Sequence, residues 1–399
     1  MDRLLLNKIF DKELDSKELI QIRREFHMYP EVSGEEYQTM ERIAALLDQW
    51  KIPYAKGVAK TGVVVRMKGN RDGKNIALRA DMDALGFEEM NKELPYCSRN
   101  KGVMHGCGHD VHMTILLGVI KMIQALDGDF PGSFTFIFQP DEEGTGGAAR
   151  MIQEGCLKNP EIDHVLGLHV EPAYPVGKIG VVYGKMYAAS DMITLKVYGK
   201  SSHGAQPQNG ADAIVITANI INTIQTVISR NTDPTDAAVC TLGRIEGGNV
   251  RNQLAEYVQC EGIIRTLDPQ TRISTRNRIK QICESTAAAM GGRAELEIRE
   301  SYGSLITDRA VTDLVCQVAK DQLGQDSVVP EPGPQLTVED FSYFAAACPS
   351  GFYHLGCASP DKTPAVPLHN SRFDVDEHCI AIGVRLQTEL ALRLAEQGN

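Results

Sequence analysis

The sequence predicts an α/β protein: a mainly parallel, helix-covered sheet, interrupted by an inserted α+β domain with a four-stranded antiparallel sheet and two helices. Three observations carry this. Up to about residue 182, apolar runs of strand length alternate with amphipathic helical segments, the pattern of crossover-connected parallel strands. From 183 to 300 the strands alternate in polarity, which suits a sheet with one open face, and two long helices accompany them. From 301 to 399 the α/β pattern resumes. The first domain is therefore expected in two parts, 1–182 and 301–399, with 183–300 inserted between them.

Taken in order, residues 16–29 place Leu19, Ile22 and Phe26 at helical spacing, and Pro30 ends the helix. A second helix over 35–50 has Met40, Ile43, Ala44 and Leu47 as its apolar face. Strands follow at 63–67 and 76–78, separated by a Gly/Asn/Asp turn cluster. The second runs into LRADMDALGFEE, with Asp81 and Asp83 just past its carboxyl end, where open α/β sheets hold ligands. Taken alone, either aspartate reads as a solvated or capping residue. A helix at 111–126 follows the stretch MHGCGHDVH, residues 104–112. A strand at 134–138 leads into QPDEEGTGG, where Glu142 and Glu143 stand adjacent at the strand terminus, and a strand at 165–169 ends in His169. The inserted block holds strands at 192–198, 239–245, 257–265 and 294–300 and helices at 212–229 and 269–290. A helix at 308–323, a short helix at 338–347 and a strand at 352–355 come next. A Pro/Asp-rich loop, 358–373, carries His369 ahead of a final helix at 375–394.

Composition narrows the class. With 399 residues, 43% hydrophobic and 23% charged, the chain is an ordinary globular one. Its net charge of −11 argues against nucleic acid, which needs a basic surface. The apolar run at 4–6 is too short for a signal-peptide core and no stretch reaches the length of a membrane span, so a cytoplasmic, membrane-free protein is expected. The ten cysteines are scattered and read as reduced thiols, with Cys240, Cys260 and Cys316 as core residues.

The stretch 104–112 holds three of the ten histidines and one of the ten cysteines, with glycines at 106 and 108. It buries little apolar surface and costs backbone entropy to order, so a metal ion is the economical reason for it. Cys107 and His109 can reach one small volume. A structural zinc site would want a second close Cys/His pair, and the sequence has none. The other donors, Glu143, His169 and His369, are spread one per element, which suits a catalytic site on a sheet edge. The residues alone leave other readings of Cys107 open: a nucleophile beside a histidine, a redox thiol, or a buried structural cysteine.

The combination LRADMDA, HGCGHDVH, QPDEE, GLHVEP, SSHGAQP and LHNSRFDVDE resembles the M20 metallopeptidase clan over nearly the whole chain. It is most similar to the amidohydrolase branch of aminoacylases, hippurate hydrolases, N-acetyl-diaminopimelate deacetylases and auxin-conjugate hydrolases. The resemblance implies a zinc-exopeptidase-like catalytic domain, with the insert as a lid and dimerisation domain. It implies two divalent metal ions per chain bridged by Cys107, one completed by His109 and His169 and the other by Glu143 and His369. Zinc suits the thiolate; manganese, nickel and cobalt are the alternatives. By the same resemblance Glu142 is the general base and acid. His203 stabilises the oxyanion in a partner subunit, and Asn252 and Arg265 meet the substrate's carboxylate. Asp81, Asp83 and Asp110 orient ligand histidines. The implied activity is hydrolysis of N-acyl amino acids by a homodimer. The competing expectations are a dipeptidase or carboxypeptidase, with Asp141 as the candidate partner for a free α-amino group, a non-catalytic metabolite-binding relative, and a thiol hydrolase. The chain departs from the family at Asp141, Gly86 and Gln253-Leu254-Ala255.

Overall fold

The structure, a computed structural model, describes residues 3–359 and 365–397. Residues 360–364 of the loop expected to carry His369 lie outside the described residues. The chain divides into two compact units. The first runs to Gly184, resumes over Ile306–Gly333 and continues from Tyr343; the second comprises Lys185–Leu305 and Pro334–Ser342.

The first unit is built on an eight-stranded sheet. Its spatial order is Tyr54–Val58, Gly62–Lys68, Pro131–Gln139, Arg71–Asp81, His164–Pro175, Ser350–Ala358, Ile179–Val181 and Val328–Pro330. The four strands from Pro131–Gln139 to Ser350–Ala358 are parallel, and the flanking pairs include antiparallel ones. Strand residues such as Val63, Ile76, Leu78, Phe134, Phe136, Phe138 and Leu166 are buried in one core. The helix His109–Gln124 is buried around almost its whole circumference and packs against Ser16–Met28 and His378–Glu396. Gly118 and Gly383 permit the close crossing with the last helix: a Cβ on Gly118 would lie 2.5 Å from Val384 Cγ2 and one on Gly383 2.4 Å from Ile115 Cδ1.

Several boundaries differ from expectation. The strand expected at 76–78 spans Arg71–Asp81, so Asp81 is its last residue and only Asp83 lies beyond. The helix expected from 111 begins at His109. The strand expected to end at His169 continues to Pro175, because Ser350–Ala358 pairs with it along its length. The short helix at 338–347 covers only Ser342–Ala347. The helix Arg3–Glu13 and the strands Tyr54–Val58, Ile179–Val181 and Val328–Pro330 carried no strong pattern of their own. Three of those strands sit toward the sheet's edges, where neighbours rather than periodicity decide pairing.

The second unit is an antiparallel sheet in the order Arg293–Glu300, Ala189–Tyr198, Tyr257–Thr266, Ala238–Gly247, with helices Ala213–Thr226 and Pro269–Ala289. Asp212 caps the first helix by accepting from Ile214 and Val215 N–H, and Asp268 caps the second ahead of Pro269. Ile193, Leu195, Ile216, Ile220, Val258 and Ile279 form its core. Among the described residues no helix is long and apolar enough to cross a membrane.

Candidate metal centre

The centre lies at the carboxyl ends of the parallel strands of the first unit. Gly108 adopts φ +83° and caps the helix that starts at His109; a Cβ on it would stand 2.3 Å from Val170 Cγ2. Only glycine meets both demands. This turn delivers Cys107 and His109 together. Three further positions join them: His169 on its strand, Glu143 after the strand Pro131–Gln139, and His369, whose N–H donates to Gly106 C=O at 2.9 Å. His369 holds φ +59°, an uncommon backbone state for a residue with a Cβ.

Two groups of donor atoms result, each with all atoms within 4.8 Å of one another: Cys107, His109 and His169, and Cys107, Glu143 and His369. Cys107 belongs to both. Its Sγ is 3.3 Å from His169 Nε2 and 3.3 Å from His369 Nε2. Glu143 Oε1 is 3.1 Å from His369 Nε2. Glu142 is buried and groups with His109 and Glu143 but with neither Cys107 set.

The surroundings orient these donors. His109 Nδ1–H donates to Asp83 C=O at 2.8 Å, which leaves its Nε2 as a lone-pair donor; that nitrogen is buried with no hydrogen-bond partner among the described residues. It does lie 3.7 Å from Asp81 Oδ2. His169 Nδ1–H donates to Val170 C=O at 2.7 Å, again leaving Nε2 for the centre. Asp83 Oδ2 accepts from Ser33 Oγ at 2.7 Å and from Glu143 N–H at 2.9 Å. Glu36, fully buried, accepts from Asp141 N–H at 2.9 Å, Thr61 Oγ1 at 2.6 Å and Gly34 N–H at 2.7 Å, fixing the turn that carries Glu142 and Glu143.

The electrostatics match a cation site. Burial opposes an imidazolium at His109, yet Asp81, Asp83 and Glu143 overcome it and raise its pKa to about 10. Burial, then Glu143 and Glu142, push the Cys107 thiol well above its ordinary range, the reverse of what a nucleophilic cysteine requires. A divalent cation satisfies both trends at once, since a coordinated thiol is deprotonated and the carboxylates gain a counter-charge. The orphaned His109 Nε2 and the mixed S, N and O donor set therefore fit a metal centre.

Other expected residues are placed as follows. Asp81 and Asp83 adjoin His109. Asp110 does not orient a ligand histidine: its Oδ2 lies 2.8 Å from Arg23 Nε and accepts from His27 Nδ1–H at 2.8 Å. The helix turn that aims His109 at the centre aims its neighbour Asp110 toward the helix Ser16–Met28. Asp141 is engaged within its own turn, accepting from Thr145 N–H at 3.0 Å and Oγ1 at 2.6 Å and pairing with Arg150. His112 has both ring nitrogens engaged, donating from Nδ1 to Asp81 Oδ1 at 2.6 Å and accepting from Val170 N–H at Nε2 at 2.9 Å, which removes it from the ligand candidates. His105 is buried, neither ring nitrogen has a hydrogen-bond partner among the described residues, and burial lowers its pKa to about 3.

In the second unit, His203 is exposed, and Gly204 N–H donates to Asn252 C=O at 2.8 Å, so the two loops bearing His203 and Asn252 are adjacent. Arg265, half buried on the strand Tyr257–Thr266, has an Nη1 that is buried with no hydrogen-bond partner among the described residues. Sequence reasoning missed Ser33, Glu36 and Arg79, because a lone polar residue far along the chain gives no signal until the fold brings it near.

A helix-covered parallel sheet with such donor groups at its strand ends is the build of a metal-dependent hydrolase acting on amide bonds. The family model described as Peptidase family M20/M25/M40 matches residues 77–393, and the chain belongs to that family. It is 36% identical to the N-acetyl-L-cysteine deacetylase of Bacillus subtilis over 96% of this chain and 89% of that one. It is 35% identical to thermostable carboxypeptidase 1 of Saccharolobus solfataricus, over 95% and 96%, and 34% identical to the N-acetyldiaminopimelate deacetylase of B. subtilis, over 93% and 97%. The crystal structure of B. subtilis YXEP, described as a dinuclear metal-binding M20 peptidase, matches with a TM-score of 0.83 and 28% identity, over 96% of this chain and 99% of that one.

Proposed function

We propose that the protein hydrolyses the amide bond of N-acyl amino acids, releasing a carboxylic acid and a free amino acid, with two divalent cations held by Cys107, His109, Glu143, His169 and His369. The observation that carries this reading is the sharing of Cys107 between two donor groups, with a further buried carboxylate, Glu142, beside them. Bound there, the cations would supply Lewis acidity toward the amide carbonyl and lower the pKa of water to about 7. Glu142 takes the proton of the water that attacks the carbonyl carbon and returns it to the departing nitrogen. Asp83 and Asp81 keep the ligand imidazoles aimed. Arg265, with a guanidinium nitrogen unmatched among the described residues, is assigned to the substrate's carboxylate together with Asn252. His203 is assigned to the oxyanion in a partner subunit, which makes the working unit a homodimer. The thiolate ligand favours zinc, and a cytoplasmic location fits reduced cysteines.

A dipeptidase or carboxypeptidase reading is supported by similarity to two S. solfataricus proteins named thermostable carboxypeptidase and to YXEP, described as a peptidase. The residue suggested for a free α-amino group, Asp141, is already engaged by Thr145 and Arg150. N-acyl substrates are therefore favoured. The deciding experiment is hydrolysis of a panel of N-acetyl, N-benzoyl and longer N-acyl amino acids, with dipeptides alongside, by metal-depleted and metal-reconstituted enzyme. Faster turnover of N-acyl substrates that depends on added cation is expected; activity on dipeptides alone, or activity indifferent to chelation, would overturn the proposal.

A further inference from the structure

The Val170 peptide lies where the sheet loses a strand. Pairing of Arg71–Asp81 with His164–Pro175 ends at Arg79 and Gly167, whereas pairing with Ser350–Ala358 continues, Leu355 standing opposite Val170. Val170 is fully buried, so its N–H and C=O need partners that the departed strand no longer offers. Two side chains supply them. Val170 N–H donates to His112 Nε2 at 2.9 Å, and Val170 C=O accepts from His169 Nδ1–H at 2.7 Å.

His112 is itself held from behind. Its Nδ1–H donates to Asp81 Oδ1 at 2.6 Å. Asp81 Oδ2 accepts from Arg79 Nη1 at 2.7 Å, and Arg79 Nε donates to Gln139 Oε1 at 2.7 Å. All four side chains are buried. The hydrogen bonds run without a break from Gln139 to His169, whose Nε2 then stands 3.3 Å from Cys107 Sγ. The acceptors at each end fix the tautomers: His112 carries its proton on Nδ1, and so does His169.

We propose that His112 is a positioning residue for His169. By holding the Val170 peptide from the side its neighbouring strand has vacated, it sets the carbonyl that orients the His169 ring and presents its Nε2 to a cation. The proposal rests on the metal-centre reading above. It assigns His112 to the ion served by His109 and His169, and leaves the ion served by Glu143 and His369 independent of it.

The test is cation binding by metal-depleted enzyme. Zn²⁺ is titrated calorimetrically and Co²⁺ by its absorption, for wild type, His112→Gln and His112→Asn, with circular dichroism as the folding control. The glutamine amide oxygen reaches the place of Nε2 and can still accept from Val170 N–H; the asparagine amide reaches only the place of Nδ1. Wild type and His112→Gln are expected to bind two ions. His112→Asn is expected to keep one and to weaken the other at least tenfold, while the thiolate-to-Co²⁺ charge-transfer band persists through Cys107. Two ions bound at wild-type affinity by His112→Asn, or loss of an ion from folded His112→Gln, overturns the positioning role, and the second outcome decides even if the asparagine variant misfolds. A wild-type chain that binds no cation would instead overturn the metal centre itself.

Discussion

Asp83 accepts the backbone N–H of Glu143 at 2.9 Å, joining the segment after one parallel strand to the segment after its neighbour. The same aspartate accepts from Ser33 and, through its own carbonyl, receives His109 Nδ1–H. One residue thus holds a candidate ligand of each cation. Alanine keeps the carbonyl that receives His109 but removes the carboxylate that holds the Glu143 backbone, so Asp83→Ala should reduce affinity for the cation served by Glu143 by about 10–100-fold, the usual effect of removing an outer partner of a ligand. Metal titration with a thermal melt checks it; unchanged affinity in a folded variant would mean that Asp83 only stabilises the fold.

Glu142→Gln should leave cation stoichiometry unchanged and lower kcat by roughly 10²–10⁴-fold, the range for a general acid–base. Elemental analysis beside steady-state kinetics separates this from ligand loss. A variant with near-normal kcat would remove Glu142 from the proton transfers.

Arg265→Lys keeps the charge but loses the planar fork that suits a carboxylate. A charge-assisted hydrogen bond contributes about 1.5–3 kcal/mol, so KM for an N-acyl amino acid should rise by about 10–100-fold with kcat changed little. The control is the corresponding amide of the substrate, which lacks the carboxylate: wild type and variant should handle it alike.

The buried group around Arg23 gives a pH dependence of stability. Burial disfavours the Asp110 carboxylate, but Arg23 and His27 outweigh it and hold its pKa below the ordinary range. Its contribution is therefore present above about pH 4, the unfolded value, and is lost as pH falls toward the folded one. His27 runs the other way: burial and Arg23 disfavour its charge, Asp110 and Glu89 prevail, and the pKa is raised. Its contribution is full below about pH 6.5 and fades as pH rises through the folded value. Denaturation across pH should show the stability difference between wild type and His27→Gln largest between about pH 4 and 6.5 and shrinking at higher pH. A difference independent of pH would show that His27 acts by packing alone.

Gly108→Ala places a Cβ at φ +83° against Val170. The left-handed backbone costs roughly 1–2 kcal/mol and the overlap roughly 1–3 kcal/mol more. Melting temperature and cation affinity should fall together, because the same turn aims Cys107 and His109.

The legible part of the fold was the part written in periodicity: the alternation in the first unit, the switch near 183, and the long capped helices of the second. Edge strands such as Ile179–Val181 were not, since three residues carry no period and pair only because Ser350–Ala358 is beside them. In the centre, Cys107 and His109 announced themselves by spacing. Glu143, His169 and His369 were legible only as scattered candidate donors, one per element, and the family resemblance alone assigned each to a cation. Asp110 misled because adjacency to His109 in sequence is a turn of about 100° on a helix, enough to point it at Arg23 instead. His112 could not be assigned at all until the end of the Arg79–Gly167 pairing showed what it replaces.

The discontinuity of the first unit has a bearing on how the protein is made. Four of the five candidate ligands precede the second unit in the chain, and His369 follows it. The strand next to His169, Ser350–Ala358, follows it too, yet lies inside the sheet. During synthesis the ribosome must therefore emit the whole insert before the sheet can close around His169 or His369 can meet Cys107 and Glu143. A chain interrupted within or before the insert has no complete second donor group. Full cation loading thereby reports that translation has passed residue 369.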